Sequence, residues 1–179
     1  PLWATAVLYA LALTCLLLVR PGALRSALQN PALWLLAVSS GLTNVAFNWA
    51  VTVGDVVRVV LLFYLMPAWA VLLAWKVLGE RPSPFALARL LLAFAGVALV
   101  LLPADAPWAR LAANLSMADG LALAGGLFFA LTNVTLRRLN QVPGDARMCA
   151  MFMGCAGMAA LTASLGMATG VVTALPAPA

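Results

Sequence analysis

The chain has 179 residues, 65% of them hydrophobic and 8% charged, with a mean hydropathy of +1.07. That is far from the roughly half-apolar, quarter-charged balance of soluble domains, so a water-soluble globular domain is excluded and a membrane protein is expected. The net charge of +5 does not point to nucleic acid, because the ten Lys and Arg residues are scattered at expected helix ends and form no patch.

A helix that crosses the roughly 30 Å hydrocarbon layer needs about 17 to 25 apolar residues. Six runs qualify: 3–19, 32–53, 56–78, 85–102, 117–136 and 148–172, termed helices a to f. The fold expected is an all-α polytopic transmembrane helix bundle, a single membrane domain over 1–179, because no stretch between the runs is long enough for a soluble domain. The connections after a, c and e, with their flanks, carry Arg20, Arg25, Lys76, Arg81, Arg89, Arg137, Arg138 and Arg147. The opposite ends carry Arg58 and Arg110. The positive-inside rule then places the first set in the cytoplasm and the start of helix a outside. Trp3, Trp34, Trp49, Trp75 and Trp108 fall near the two membrane surfaces, where amphipathic rings are favoured.

Along the chain, the opening on Pro1 shows no cleavable signal peptide, and both ends read as those of an excerpt. Cys15 in helix a, with Cys149 and Cys155 in f, is odd in number and lacks metal-ligand spacing, so packing roles are expected and neither disulfide nor metal site. Helix b carries Ser40, Asn44, Asn48 and Thr52 every fourth residue, a polar stripe along one face. Carboxamides inside a bilayer are costly unless paired or hydrated, so the stripe either glues b to a neighbour or lines a polar pathway. Arg58, early in helix c, either snorkels to the outer surface paired with Asp55 or attracts an anionic group. Tyr64 lies about 120° around the helix from Arg58, shares its sector with Pro67, and is expected in a cavity wall or a buried hydrogen bond. Pro67 removes an N–H and crowds the carbonyl of Phe63, so c should kink there, as a hinge, a cavity-lining bend or a static packing feature.

Punctuation then marks a tight c–d hairpin: Gly79 suits a C-terminal cap, Pro82 stops the helix, Ser83 can cap d and Pro84 fits its first position. Asn114 to Ser116 match a glycosylation sequon read as accidental, and Ser116 with Asp119 forms a capping box before e. In e, Thr132 and Asn133 either extend the polar path or bond to another helix. Gly125, Gly126, Gly154, Gly157, Gly166 and Gly170 are packing signals. Every acid lies at a helix end or in a connection and there is no His, so a mid-membrane proton carrier is missing. No GxSxG, HExxH, Walker or dinucleotide motif supports an enzyme, and no cofactor is implied.

Over Phe47 to Pro103 the sequence resembles the EamA-type transporters of the drug/metabolite transporter superfamily. The resemblance rests on the mid-helix Pro67, the Leu78-Gly79-Glu80 ending and Gly96-Val97 in the next helix. It implies ten helices in two inverted repeats, of which six are present, the first repeat ending near residue 103 and the second starting near 117. It further implies a secondary transporter that exports or exchanges amino acids or related metabolites by alternating access, in a bacterial cytoplasmic membrane. Asn44, Asn48, Arg58, Tyr64 and Asn133 are the candidate path residues, Pro67 the kink, and Gly79 with Glu80 a structural motif in which Glu80 faces the start of helix d. The expected partners are the lipid bilayer and a small-molecule substrate, with homodimerisation left open. The rival reading is a non-transporting scaffold or receptor whose polar stripe is glue.

Overall fold

The structure, a computed structural model, describes residues 2–79, 81–101 and 116–168. The described residues form helices and turns, with no strand among them. The Glu80 assignment, Arg110, the sequon at Asn114 and Gly170 lie outside the described residues.

Helix α1 spans Leu2–Val19. A short helix not expected from apolarity, α2 (Gly22–Gln29), follows: Ala23 and Ala27, one turn apart, are buried, while Arg25 and Ser26 are exposed. Eight residues cannot cross a bilayer, so α2 instead packs its alanine face against the bundle. The Asn30 side chain accepts a hydrogen bond from Ala32 N–H (3.1 Å), and Pro31 needs no donor at the first position, which together start α3 (Pro31–Val53).

Helix c is one apolar run whose helix is interrupted just before Pro67, where the kink was expected. Asp55 caps α4 (Val56–Phe63), Tyr64 and Leu65 form a turn, and α5 (Met66–Leu73) starts with Pro67 in its first turn. A π-turn, Ala74–Leu78, ends at Gly79, whose φ of 70° is the left-handed conformation that glycine adopts without strain. Ser83 then caps α6 (Pro84–Leu101) through the Ala86 N–H (3.2 Å), as the punctuation indicates. Ser116 and Asp119 form the complete capping box of α7 (Met117–Arg138), whose last turn carries Arg137 and Arg138 against the negative helix end. Helix α8 (Gly144–Ala168) begins four residues before helix f was expected, because its first turn is polar and Asp145 favours a helix start that apolarity does not reveal.

Four described stretches are long and apolar enough to cross a membrane: Leu2–Val19, Val56–Leu78, Met117–Arg138 and Gly144–Ala168. Six were expected. Helix α3 has the length, 23 residues, but its Ser, Thr and Asn side chains dilute its apolarity. The described apolar part of α6, Pro84–Leu99, is shorter than a full span.

Helix α3 is the centre of the bundle. It packs against α7 and α8, while α1 covers α8 and the α4–α5 pair covers α7. Leu33, Leu36 and Ala50 are fully buried, and among the described residues α6 buries no side chain. The α3–α8 crossing is made by glycine: a Cβ on Gly41 would lie 2.5 Å from the Gly154 carbonyl, and one on Gly154 would run into the Ala37 backbone. Backbone-to-backbone approach of this kind is how helices associate in lipid, where burial of apolar surface supplies no drive.

Candidate functional site

A cavity of about 240 Å³ opens where α1, α3, α7 and α8 meet. Helix α3 contributes Ser40, Thr43 and Asn44; α7 gives Phe129 and Thr132; α8 gives Met151, Phe152 and Cys155; and α1 gives Tyr9. The packing that brings them together is the Gly41–Gly154 crossing, which lies between the α3 and α8 members of this group.

Asn44 is the centre of the polar wall. Its Nδ2 donates to the Cys155 sulfur (3.2 Å) and to the Ser40 carbonyl (3.4 Å), and its Oδ1 accepts from the Tyr9 hydroxyl (3.4 Å). The Tyr9 bond is longer than the usual O–H···O range of about 2.5–3.0 Å and is correspondingly weak. Ser40 donates to the Ala37 carbonyl (3.0 Å) and across to the Met151 carbonyl of α8 (3.4 Å). Thr132 donates to its own helix at Phe128 (2.8 Å) and to the Ser39 hydroxyl of α3 (3.0 Å). Among the aromatic rings, Tyr9 and Phe152 meet at 6.0 Å between ring centres, and Phe129 meets Phe63 at 5.8 Å, which in turn meets Phe47 at 4.7 Å.

The polar stripe of α3 therefore has two uses. Ser40 ties α3 to α8 and, with Asn44, lines the cavity, while Ser39, outside the stripe, ties α3 to α7. Asn48 and Thr52 bond back to the carbonyls of Asn44 (2.8 Å) and Asn48 (2.7 Å), which satisfies them within the helix.

Of the five candidate path residues, Asn44 alone is among those lining this cavity. Asn133 is exposed on α7 and bonds to the Phe129 carbonyl (2.8 Å). Tyr64 is 55% exposed at the α4–α5 turn and does not line the Asn44 cavity.

The expected Arg58–Asp55 pair is corrected. Asp55 accepts from the Arg58 backbone N–H (2.9 Å), as a helix cap does, while the guanidinium reaches α7. Its Nε and Nη2 meet the two carboxylate oxygens of Asp119 at 2.8 and 2.9 Å, a bidentate pair in which the Asp119 side chain is 1% exposed. Asp119 was read as a capping residue alone; it both caps α7 and binds Arg58. Its pairing across 61 residues leaves no trace in local sequence.

Pro67 does what its ring predicts, and the consequence lies on α7. The Phe63 carbonyl, deprived of a partner at Pro67, faces Gly126: a Cβ there would stand 3.0 Å from that oxygen. Gly125 likewise lies under the Phe63 ring and Ala46. Two signals that looked separate, the proline and the glycine pair, are the two sides of one contact.

Sequence reasoning missed Tyr9, Thr43 and Phe152, which lie in runs where the apolar pattern gives no reason to single them out. Cys155 is buried as expected of a packing residue, but it also accepts the Asn44 hydrogen bond, and Cys15 is exposed. Among the described residues, no group of three or more His, Cys, Asp or Glu side chains could hold a metal ion.

No curated protein matches the chain, and no solved structure does. A family model described as the EamA-like transporter family matches residues 1–102, more than half of the chain.

Proposed function

The chain belongs to the EamA-like transporter family, membrane transporters of the drug/metabolite superfamily, and from that premise we propose that the cavity around Asn44 is where its solute rests. The chain is an integral, multi-pass membrane protein. In our reading it exports or exchanges metabolites of about amino-acid size across a bacterial cytoplasmic membrane by alternating access. The observation that carries this is the cavity itself: polar groups from α1, α3 and α7 converge with aromatic rings inside a bundle that otherwise packs small residues closely. Its volume of about 240 Å³ lies below the roughly 300–1,000 Å³ typical of drug-sized ligands, which supports a smaller solute.

The scaffold reading receives part of the stripe, because Ser40 bonds across to α8. It does not account for the open volume beside Asn44, whose carboxamide bonds to Cys155 of α8 (3.2 Å) and over a longer distance to Tyr9 of α1 (3.4 Å).

The test is solute release. Cells expressing the full-length protein should lose one chemical class of metabolite to the medium, relative to cells expressing Asn44→Leu at equal membrane levels, with a rate at least about tenfold greater. Equal release by both proteins, with the wild type clearly active, would remove Asn44 from the path. Uptake instead of release would keep the site and reverse the direction.

A further inference from the structure

We infer that the Asn44 cavity selects uncharged solutes that carry a hydrogen-bonding donor–acceptor pair on an aromatic or similarly flat apolar body, the carboxamide being the simplest example. The inference rests on the reading of this cavity as the solute site and narrows the class of solute it takes.

Three observations lead there. First, among the described residues no charged side chain lines the cavity: its polar members are a phenol, a carboxamide, three hydroxyls and a thiol. Arg147, one turn before Met151, aims a guanidinium nitrogen at the Leu136 carbonyl (3.5 Å). Arg58 is engaged by both oxygens of Asp119. A carboxylate or ammonium entering the cavity would meet no opposite charge among the described residues that line it, which is the costly case for an ion that gives up hydration in an apolar medium.

Second, the polar wall presents a donor and an acceptor side by side. The Tyr9 hydroxyl and the Asn44 carboxamide hold each other at 3.4 Å, long for such a bond. A solute amide can take both roles at once, accepting from the Tyr9 hydroxyl and donating to the Asn44 oxygen, so that no polar group is left unpaired. Third, the remaining wall is aromatic and sulfur-bearing, with Phe129, Phe152 and Met151, which suits a flat apolar body.

Benzamide, benzoate and benzylammonium share a ring and nearly a size, and at neutral pH differ in charge. Each, radiolabelled, is to be measured for equilibrium binding to the purified full-length protein in lipid nanodiscs. The expected result is saturable benzamide binding that benzoate and benzylammonium displace only at concentrations about tenfold higher or more. Tyr9→Phe, which keeps the ring and removes the hydroxyl, should weaken benzamide binding several-fold. Asn44→Asp should make benzylammonium the better ligand, because the new carboxylate supplies the missing countercharge.

Equal displacement by the charged compounds, or tighter binding of either one to the wild type, would overturn the inference and leave the cavity as a solute site. Saturable benzamide binding untouched by both substitutions would place it elsewhere and overturn the inference too. Absence of benzamide binding also overturns it, and the Asn44→Leu release measurement then decides independently whether the site reading survives.

Discussion

Arg58 and Asp119 show how one residue's partner changes its meaning. In sequence Arg58 has Asp55 three places away, and the economical reading pairs them at the surface. In the fold Asp55 is used up as a cap, and Arg58 spans to a carboxylate that is almost fully buried. Were Arg58 an exposed surface arginine, removing it would cost little. Here it would leave Asp119 buried without its counter-ion. We expect Arg58→Leu to destabilise the purified protein by about 2–4 kcal/mol, discounted from the usual figure for a buried pair because Arg58 remains partly exposed. Asp119→Asn in the same background should recover part of that loss, and a double-mutant cycle by chemical denaturation in detergent measures the coupling. Additive losses would show that the pair contributes nothing of its own. Asn44 was legible because a carboxamide within a bilayer-length apolar run calls for an explanation. Tyr9 and Cys155 were not, because their importance comes from α1 and α8 lying beside Asn44, and one sequence holds no record of that adjacency.

At the scale of the helix, the stop and start signals were read most reliably. Gly79, Ser83, Pro84, Ser116 and Asp119 all act as caps or first-turn residues where their chemistry places them. These are local rules, satisfied within four residues, so they survive without knowledge of the fold. The expected kink of helix c is present: the helix is interrupted at Tyr64 and Leu65, just before Pro67, and Gly126 receives the freed Phe63 carbonyl. Helix α2 was missed because its apolar face is two alanines, too small a signal beside runs of leucine. The glycines of α8 make a paired prediction. Gly154 sits against the Ala37 backbone, whereas nothing approaches within 4 Å of a Cβ placed at Gly157. Gly154→Ala should therefore force α3 and α8 apart, costing about 1–3 kcal/mol and lowering the yield of monodisperse protein, while Gly157→Ala should stay within about 0.5 kcal/mol of the wild type. Thermal unfolding of the two variants side by side checks this, and similar behaviour would mean that the crossing is not made by the glycine.

For the whole molecule, composition alone carried the class: the hydrophobic fraction demands a membrane, and a membrane demands helices or a closed barrel. Orientation follows from charge and is open to a direct check. In a background lacking Cys15, Cys149 and Cys155, a cysteine at Val53 should react in intact cells with a membrane-impermeant thiol reagent, and one at Gln141 should react only after the membrane is opened. The reverse pattern would invert the topology. What composition could not supply is which helix is central. Helix α3 is the most enclosed of the long helices although it carries a polar stripe, because Ser40 and Asn44 of that stripe face neighbouring helices and the cavity. The crossing at Gly41 and Gly154 has a mechanical consequence. With no side chain between two backbones there is nothing to compress, so α3 and α8 can tilt about that point but cannot draw nearer. The ends of α8 lie ten and fourteen residues from Gly154, about 15 and 21 Å at 1.5 Å per residue, whereas Met151 and Cys155 lie within a turn of it. The crossing is then a fulcrum and each half of α8 a lever arm: a tilt that hardly alters the space beside Asn44 sweeps the two helix ends widely and in opposite senses.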